Sequence, residues 1–175
     1  MFRISHRIVG KHEEGGRGIG QAERFSTDIC LIFTALIEGR EPFVRRASLI
    51  QAKRLHRRDF VYYYPVDTLQ LQEIVEQTSA GFLLLVGPTF GGVAMPVIPA
   101  RMFLDLVKRG EPSNQIAPEM AGRLGKGISN WLVGDVIGLW TGDWAEDVLA
   151  RAEGSEARRP FLLVEVSAEL LPTAH

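Results

Sequence analysis

The longest hydrophobic run in the chain spans Thr27 to Ile37 and is rich in β-branched and aromatic residues. Such a run is typical of a strand that is buried on both faces of a sheet. Glycine and proline within Glu38–Pro42 predict a turn, so Val44–Ala52 is expected to return as the second arm of a hairpin. A weaker alternation predicts a first strand over Phe2–Val9.

A helical period follows this hairpin. Asp67 suits the N-cap position of a helix, and apolar residues at helical spacing extend that helix to about Ser79. The apolar stretch Phe82–Val86 predicts a short buried strand. Because a strand, a helix and a strand succeed one another, we expect a crossover onto the same sheet. The pattern therefore predicts an α/β fold with a mixed sheet flanked by helices.

In the second half of the chain the hydrophobic pattern is weaker, and so are the predictions of strands and helices. Val93–Val97 is typical of an edge strand, because it contains a proline. Pro99 fits the first turn of a helix that Gly110 would end. Residues 118–149 are mostly helical by pattern, and Phe161–Val166 predicts a last strand.

Composition narrows the class of protein. A length of 175 residues suits one domain, since roughly 100–200 residues per domain is usual. The formal net charge is −1, so any surface that attracts nucleic acid must be local. The single cysteine, Cys30, lies within an apolar run and is expected to be a buried thiol. The first residues do not resemble a secretory signal, and no apolar run approaches the ~20 residues of a membrane span. We therefore expect a cytoplasmic protein with no membrane partner.

Polar residues occur where the two arms of the predicted hairpin meet. Asp28 precedes the first arm, while Gln51 and Lys53 end the second. Alternation along a strand puts Gln51 and Lys53 on one face. Asp28, the Gln51 amide and the Ala52 carbonyl offer the oxygen ligands that Mg²⁺ prefers. Lys53 could orient an attacking water or stabilise developing charge. The corner formed by Asp28, Gln51, Ala52 and Lys53 therefore predicts metal-dependent phosphodiester hydrolysis.

The order Asp28, hairpin and then Leu49–Arg54 (LIQAKR) resembles the PD-(D/E)xK nuclease superfamily, in the Q-x-K variant of type IV restriction and phage-defence endonucleases. The resemblance implies a restriction-endonuclease-like core over about 23–86, with a helical and strand elaboration over 93–170. It implies that Asp28 and Gln51 hold Mg²⁺, which Mn²⁺ can replace, while Lys53 serves the water. The family also opens with a helix that donates a glutamate; Glu14 or Glu23 could supply it, and Glu23 is preferred.

Basic residues cluster beside this motif between Arg40 and Arg58. Such a local excess of positive charge is what contact with a phosphate backbone needs, although solvated charge runs are also common. The residues predicted to bind nucleic acid are Arg45, Arg46, Arg54, Arg57 and Arg58. The following run Tyr62–Tyr64 could stack on bases, but we favour a structural role in anchoring the next helix.

Three tryptophans, Trp131, Trp140 and Trp144, lie among apolar residues. They are interpreted as core or as a subunit interface, and they could serve a homodimer.

Three functions remain open from the sequence. The first is a Mg²⁺-dependent DNA nuclease that acts in restriction or phage defence. Such a nuclease could work with a partner protein of the defence system. The second is an inactive nucleic-acid-binding or scaffold module of the same fold. The third is a small-molecule or protein-interaction domain.

Overall fold

A computed structural model describes residues 2–10, 27–37, 40–87, 95–110, 114–153 and 162–170 of the chain. The strands within these ranges are β1 (Phe2–Gly10), β2 (Ile29–Ile37), β3 (Val44–Arg54), β4 (His56–Arg58), β5 (Val61–Pro65), β6 (Gly81–Val86), β7 (Pro96–Pro99), β8 (Gln115–Ile116), β9 (Lys126–Gly127) and β10 (Leu162–Leu170). The helices are α1 (Thr68–Gln77), α2 (Ala100–Lys108), α3 (Pro118–Leu124), α4 (Ile128–Asn130), a π-helix (Trp131–Ile137) and α5 (Glu146–Glu153).

The described strands form a seven-stranded mixed sheet in the order β1-β10-β2-β3-β6-β7-β9, and a smaller sheet in the order β4-β5-β8. Strands β2 and β3 are antiparallel, with Ile29 opposite Ile50, which confirms the predicted hairpin. Strand β6 runs parallel to β3, so α1 is the connection of a crossover, as predicted. The mixed α/β class is therefore confirmed.

Two apolar clusters cover the two faces of the large sheet. On one face, Cys30 and Ile32 belong to a cluster with residues of α1, α2 and α5. On the other face, Leu31 and Phe33 belong to a cluster that includes Trp131 of the π-helix. This separation follows from the alternation of side chains along β2. Burial on both faces explains why the run over 27–37 lacks polar alternation.

The start of α1 lies where the capping residue Asp67 predicted it, and the start of α2 lies one residue after the predicted Pro99. Asp67 is the N-cap of α1, and its side chain accepts a hydrogen bond from Gln70 N. Helix α2 begins at Ala100, whereas Pro99 ends strand β7. Val93 and Ala94, part of the predicted strand at 93–97, lie outside the described residues.

The predicted helical region 118–149 is broken by short elements. Helix α3 ends at Leu124, and β9 separates it from α4 and the π-helix. A Cβ on Gly125 would come within 2.5 Å of Pro96 Cβ. The chain therefore packs closely against β7 at this point instead of continuing as a helix.

The three tryptophans do not share one environment. Trp131 is 4% exposed, as expected of a core residue, and packs edge-on against Phe82 at 5.0 Å between ring centroids. Trp140 and Trp144 are 84% and 73% exposed, so neither belongs to the core of the single chain. Along the described residues, no helix combines the length and apolar character needed to cross a bilayer.

Candidate functional site

The start of β2 is held against β3 by Thr27, which is 4% exposed. Its hydroxyl accepts a hydrogen bond from Ile50 N at 2.9 Å and donates to the Ile50 carbonyl at 2.9 Å. The next residue, Asp28, donates its backbone N–H to the same carbonyl at 3.0 Å. Thr27 thus continues the pairing of the two strands and fixes the backbone that carries Asp28.

The Asp28 carboxylate lies across the end of β3. Its Oδ2 accepts from Ala52 N at 2.8 Å, and its Oδ1 accepts from Gln70 Nε2 at 3.2 Å. The contact with Ala52 places the carboxylate beside the C-terminal half of β3, and the contact with Gln70 joins it to α1. The charged group is half-buried and held by two donors.

Gln51 is fully buried, with 0% of its surface exposed. Its Nε2 donates to the Asp67 carbonyl at 2.9 Å and to Gln70 Oε1 at 2.8 Å, while its Oε1 accepts from Asp67 N at 3.3 Å. A buried amide must satisfy its donors and acceptors within the protein. Gln51 does so by anchoring the N-terminus of α1 to the middle of the sheet.

Gln70 joins the predicted residues into one network. Its Oε1 accepts from Lys53 Nζ at 3.3 Å as well as from Gln51, while its Nε2 donates to Asp28. The carboxylate of Asp28 and the ammonium of Lys53 therefore contact the two ends of one amide. Sequence reasoning missed Gln70, because a glutamine three residues after an N-cap aspartate is explained by capping alone.

The candidate metal ligands are oxygen atoms, the type that Mg²⁺ prefers. They differ in how far hydrogen bonds within the protein already occupy them. Asp28 supplies a carboxylate, the hard ligand that Mg²⁺ prefers. The Gln51 oxygen is engaged with Asp67 N, and Ala52 contributes its N–H to Asp28. Glu14 and Glu23 lie outside the described residues. Within the ranges that are described, no group of three His, Cys, Asp or Glu side chains is close enough to hold an ion.

The predicted nucleic-acid contacts separate into two places. Arg54 ends β3, and Arg57 and Arg58 lie on β4, all of them exposed. Arg45 and Arg46 lie near the other end of β3. The distance from Arg46 to Lys53 along the strand is about 23 Å, at roughly 3.3 Å per residue.

Arg45 and Arg46 also have partners within the chain. Arg45 forms an ion pair with Glu153. Arg46 donates from Nη1 to the Leu139 carbonyl at 2.7 Å, and its guanidinium lies 5.4 Å from the Trp144 ring centroid. These contacts attach the 139–153 segment to β3.

The corner formed by Asp28, Gln51, Lys53 and Gln70 contains one carboxylate, one ammonium and two amides, at the ends of the interior strands β2 and β3. Such groups are costly to bury unless they pair, and here they pair with one another. The arrangement can bind a cation through Asp28 and an anionic oxygen through Lys53. No protein-family model, curated protein or solved structure matches this chain, so the case for a function rests on the chemistry of this corner.

Proposed function

We propose that the chain is a metal-dependent phosphodiesterase that hydrolyses nucleic acid, DNA above all, with a restriction-endonuclease-like core. The observation that carries the proposal is the Gln70 side chain, which is hydrogen bonded to both Asp28 and Lys53. A nuclease of this type needs a carboxylate and a lysine at the ends of neighbouring strands. Asp28 and Lys53 meet that need, on a hairpin followed by a helix and a parallel strand.

In this mechanism Asp28 and Gln51 would hold Mg²⁺, with the Ala52 backbone beside them. The ion would neutralise charge on the phosphoryl oxygens and make water a better nucleophile. Lys53 presents a compact ammonium that attracts the phosphate and stabilises the charge that develops in the transition state. Gln70 positions both charged groups and touches neither reacting atom.

A plasmid-nicking assay with Mg²⁺ or Mn²⁺ tests the proposal. Lys53→Met and Asp28→Asn are each expected to lower the cleavage rate by about 10²–10⁴-fold, the usual range for losing such a group. Lys108→Met is the matched control, because Lys108 is an exposed lysine of α2. EDTA is expected to abolish cleavage. Cleavage that persists in Lys53→Met, or in EDTA, would contradict the proposal.

A second function is favoured by one specific observation. The Gln51 oxygen already accepts from Asp67 N, and a neutral amide is a weaker ligand for Mg²⁺ than a carboxylate. This favours a module that binds nucleic acid without cutting it. In that case Mg²⁺ would leave the melting temperature unchanged, while DNA binding would weaken steeply as salt rises.

A role in restriction or phage defence is supported by the family resemblance alone. The same holds for a cytoplasmic location and for a partner protein from a defence system. A homodimer through the region of the exposed tryptophans Trp140 and Trp144 is a further proposal, tested by the mass of the chain in solution.

A further inference from the structure

The hairpin of β4 and β5 projects beyond the candidate site and carries exposed aromatic and basic side chains. Phe60 is 85% exposed, Val61 63% and Tyr62 43%. The two strands are antiparallel, with Arg57 opposite Tyr62 and Arg58 opposite Val61, which leaves Asp59 and Phe60 as a two-residue turn. Solvent exposure of a whole phenylalanine ring at a hairpin tip has no use in the fold of the single chain.

The turn itself is built from unfavourable residues. Asp59 has a φ of 48° and Phe60 a φ of 65°, the left-handed values that a two-residue hairpin turn requires. Asparagine and glycine adopt them most easily, whereas a phenylalanine there is strained. Strain of this kind persists where the side chain is needed for function.

Arg57 organises the aromatic side chains. Its guanidinium lies 4.8 Å from the Phe60 ring centroid and 5.5 Å from that of Tyr62. Two rings within cation–π distance of one guanidinium make an exposed, polarised surface of the kind on which nucleobases stack. Arg54, His56 and Arg58 are also exposed here, against the single carboxylate of Asp59.

The hairpin lies close to the proposed catalytic corner along the chain. Arg57 comes four positions after Lys53, so their Cα atoms lie at most about 14 Å apart, at 3.6 Å per residue. A nucleic-acid strand rises about 3.4 Å per nucleotide. A strand with a phosphate at Lys53 therefore reaches the hairpin within about four nucleotides.

We propose that the β4–β5 hairpin stacks unpaired bases of the nucleic-acid strand that enters the site, with Phe60, Arg57 and Tyr62 as the platform. The inference rests on the proposed function and deepens it, because it makes single-stranded or frayed nucleic acid the preferred substrate. Bases inside a duplex already stack on each other and offer no free face to a protruding ring. Unpaired bases offer that face whatever their sequence.

Binding measured in EDTA separates this inference from catalysis. The probes are fluorescent oligo-dT and oligo-U of about 20 nucleotides and a DNA duplex of the same length, followed by anisotropy; one hairpin engages only a few of their nucleotides. The wild type is expected to bind the single strands more tightly than the duplex. Phe60→Ala is expected to weaken single-strand binding by about 5–100-fold, as loss of one stacked base does, with duplex binding unchanged. The two oligomers distinguish DNA from RNA.

Two further variants make the test specific. Phe43→Ala removes another exposed ring, 60% exposed at the far end of β3, and is expected to leave single-strand binding within twofold of the wild type. Phe60→Gly relieves the left-handed strain, so it is expected to raise the melting temperature while it weakens binding. A more stable protein that binds less cannot be explained by misfolding.

The opposite results would overturn the inference. They are equal loss of duplex and single-strand binding in Phe60→Ala, unchanged single-strand binding in that variant, or a wild type that binds no oligomer. Single-strand binding that depends on Phe60, in a protein that never cuts, would uphold the hairpin's role and reject the proposed nuclease activity.

Discussion

At the scale of single residues, Gln51 is a fully buried structural amide. The proposed nuclease site would also use its Oε1 as a ligand for Mg²⁺. All three of its hydrogen bonds go to residues at the start of α1, to Asp67 and Gln70. Replacing it therefore changes the anchoring of α1 and the candidate site at once, because the Oε1 that accepts from Asp67 N is also the oxygen that the proposed metal site would use.

Gln51→Leu keeps much of the volume of the side chain but removes these hydrogen bonds. Asp67 N then loses its side-chain acceptor, and the free energy of unfolding is expected to fall by about 2–3 kcal/mol, the usual cost of leaving buried groups unpaired. Urea denaturation measures the change. Gln72→Leu is the matched control, since Gln72 is exposed on α1 and its loss should cost less than about 0.5 kcal/mol. Equal losses in both variants would contradict the role assigned to Gln51.

Most of this corner could be foreseen at the residue scale. Asp28, Gln51 and Lys53 were predicted to lie together from strand alternation and hairpin geometry, and in the structure each is hydrogen bonded to Gln70. Gln70 could not be foreseen, because its role depends on how α1 lies across β3.

At the scale of elements, Asp143 links three parts of the fold. Its backbone exchanges hydrogen bonds with Ala47 of β3, both at 2.8 Å. Its Oδ2 accepts from Thr78 Oγ1 at 2.6 Å, and its Oδ1 accepts from Ala145 N at 3.0 Å. Thr78 ends α1, so Asp143 ties the end of that helix to β3 and to the chain leading into α5.

The turn before Asp143 requires glycine. Gly142 has a φ of 105°, and a Cβ there would meet Arg46 Cβ at 2.6 Å. Because the backbone passes so closely over β3, it can pair with Ala47, whose N–H and C=O lie in the core and need partners.

Asp143→Ala is expected to lower the free energy of unfolding by about 2 kcal/mol, because two side-chain hydrogen bonds are lost and Thr78 loses its acceptor. Thermal unfolding followed by circular dichroism gives the change. Glu146→Ala, at an exposed position in the first turn of α5, serves as the control and should shift stability by about 0.5 kcal/mol or less. A negligible effect of Asp143→Ala would show that the segment is held by its backbone bridge alone.

The strands and helices with strong periodicity were predicted, and the short ones were not. Strand β4 lies inside the basic cluster between Arg40 and Arg58, and β5 overlaps the run Tyr62–Tyr64. Neither strand was predicted, because the hairpin is mostly exposed and does not alternate between polar and apolar residues. Within the run Tyr62–Tyr64, only Tyr64 is buried, at 1% exposed. The structural role predicted for the tyrosines therefore fits Tyr64, while Tyr62 belongs to the exposed platform.

At the scale of the whole molecule, the last strand lies near the first. Strand β10 pairs antiparallel with β1 and parallel with β2, so it lies between β1 and the strand that follows Asp28. Cys30 consequently lies in the middle of the sheet, with 0% exposed. Burial raises the pKa of its thiol to about 12 from the usual 9.0, because the charged thiolate cannot be solvated there.

This raised pKa predicts a loss of stability at high pH. Between about pH 9 and about pH 12 the unfolded thiol releases its proton while the folded thiol keeps it, so the native state binds more protons and the free energy of unfolding falls. The slope approaches about 1.4 kcal/mol per pH unit in that window and vanishes below it. Denaturant titrations of the wild type and of Cys30→Ala, from about pH 8 to about pH 10, isolate this contribution. Parallel curves for the two proteins would contradict it.

The sequence by itself determined the α/β class, the central hairpin, the crossover through α1 and the meeting of Asp28 with Gln51 and Lys53. These features depend on local periodicity and on the alternation of side chains, which are properties of neighbouring residues. Tertiary structure decided the place of β10, the role of Gln70, the bridge at Asp143 and the exposure of Phe60. Each of these depends on which distant segments pack together, and burial or exposure of a side chain is a property of that packing and not of the residue.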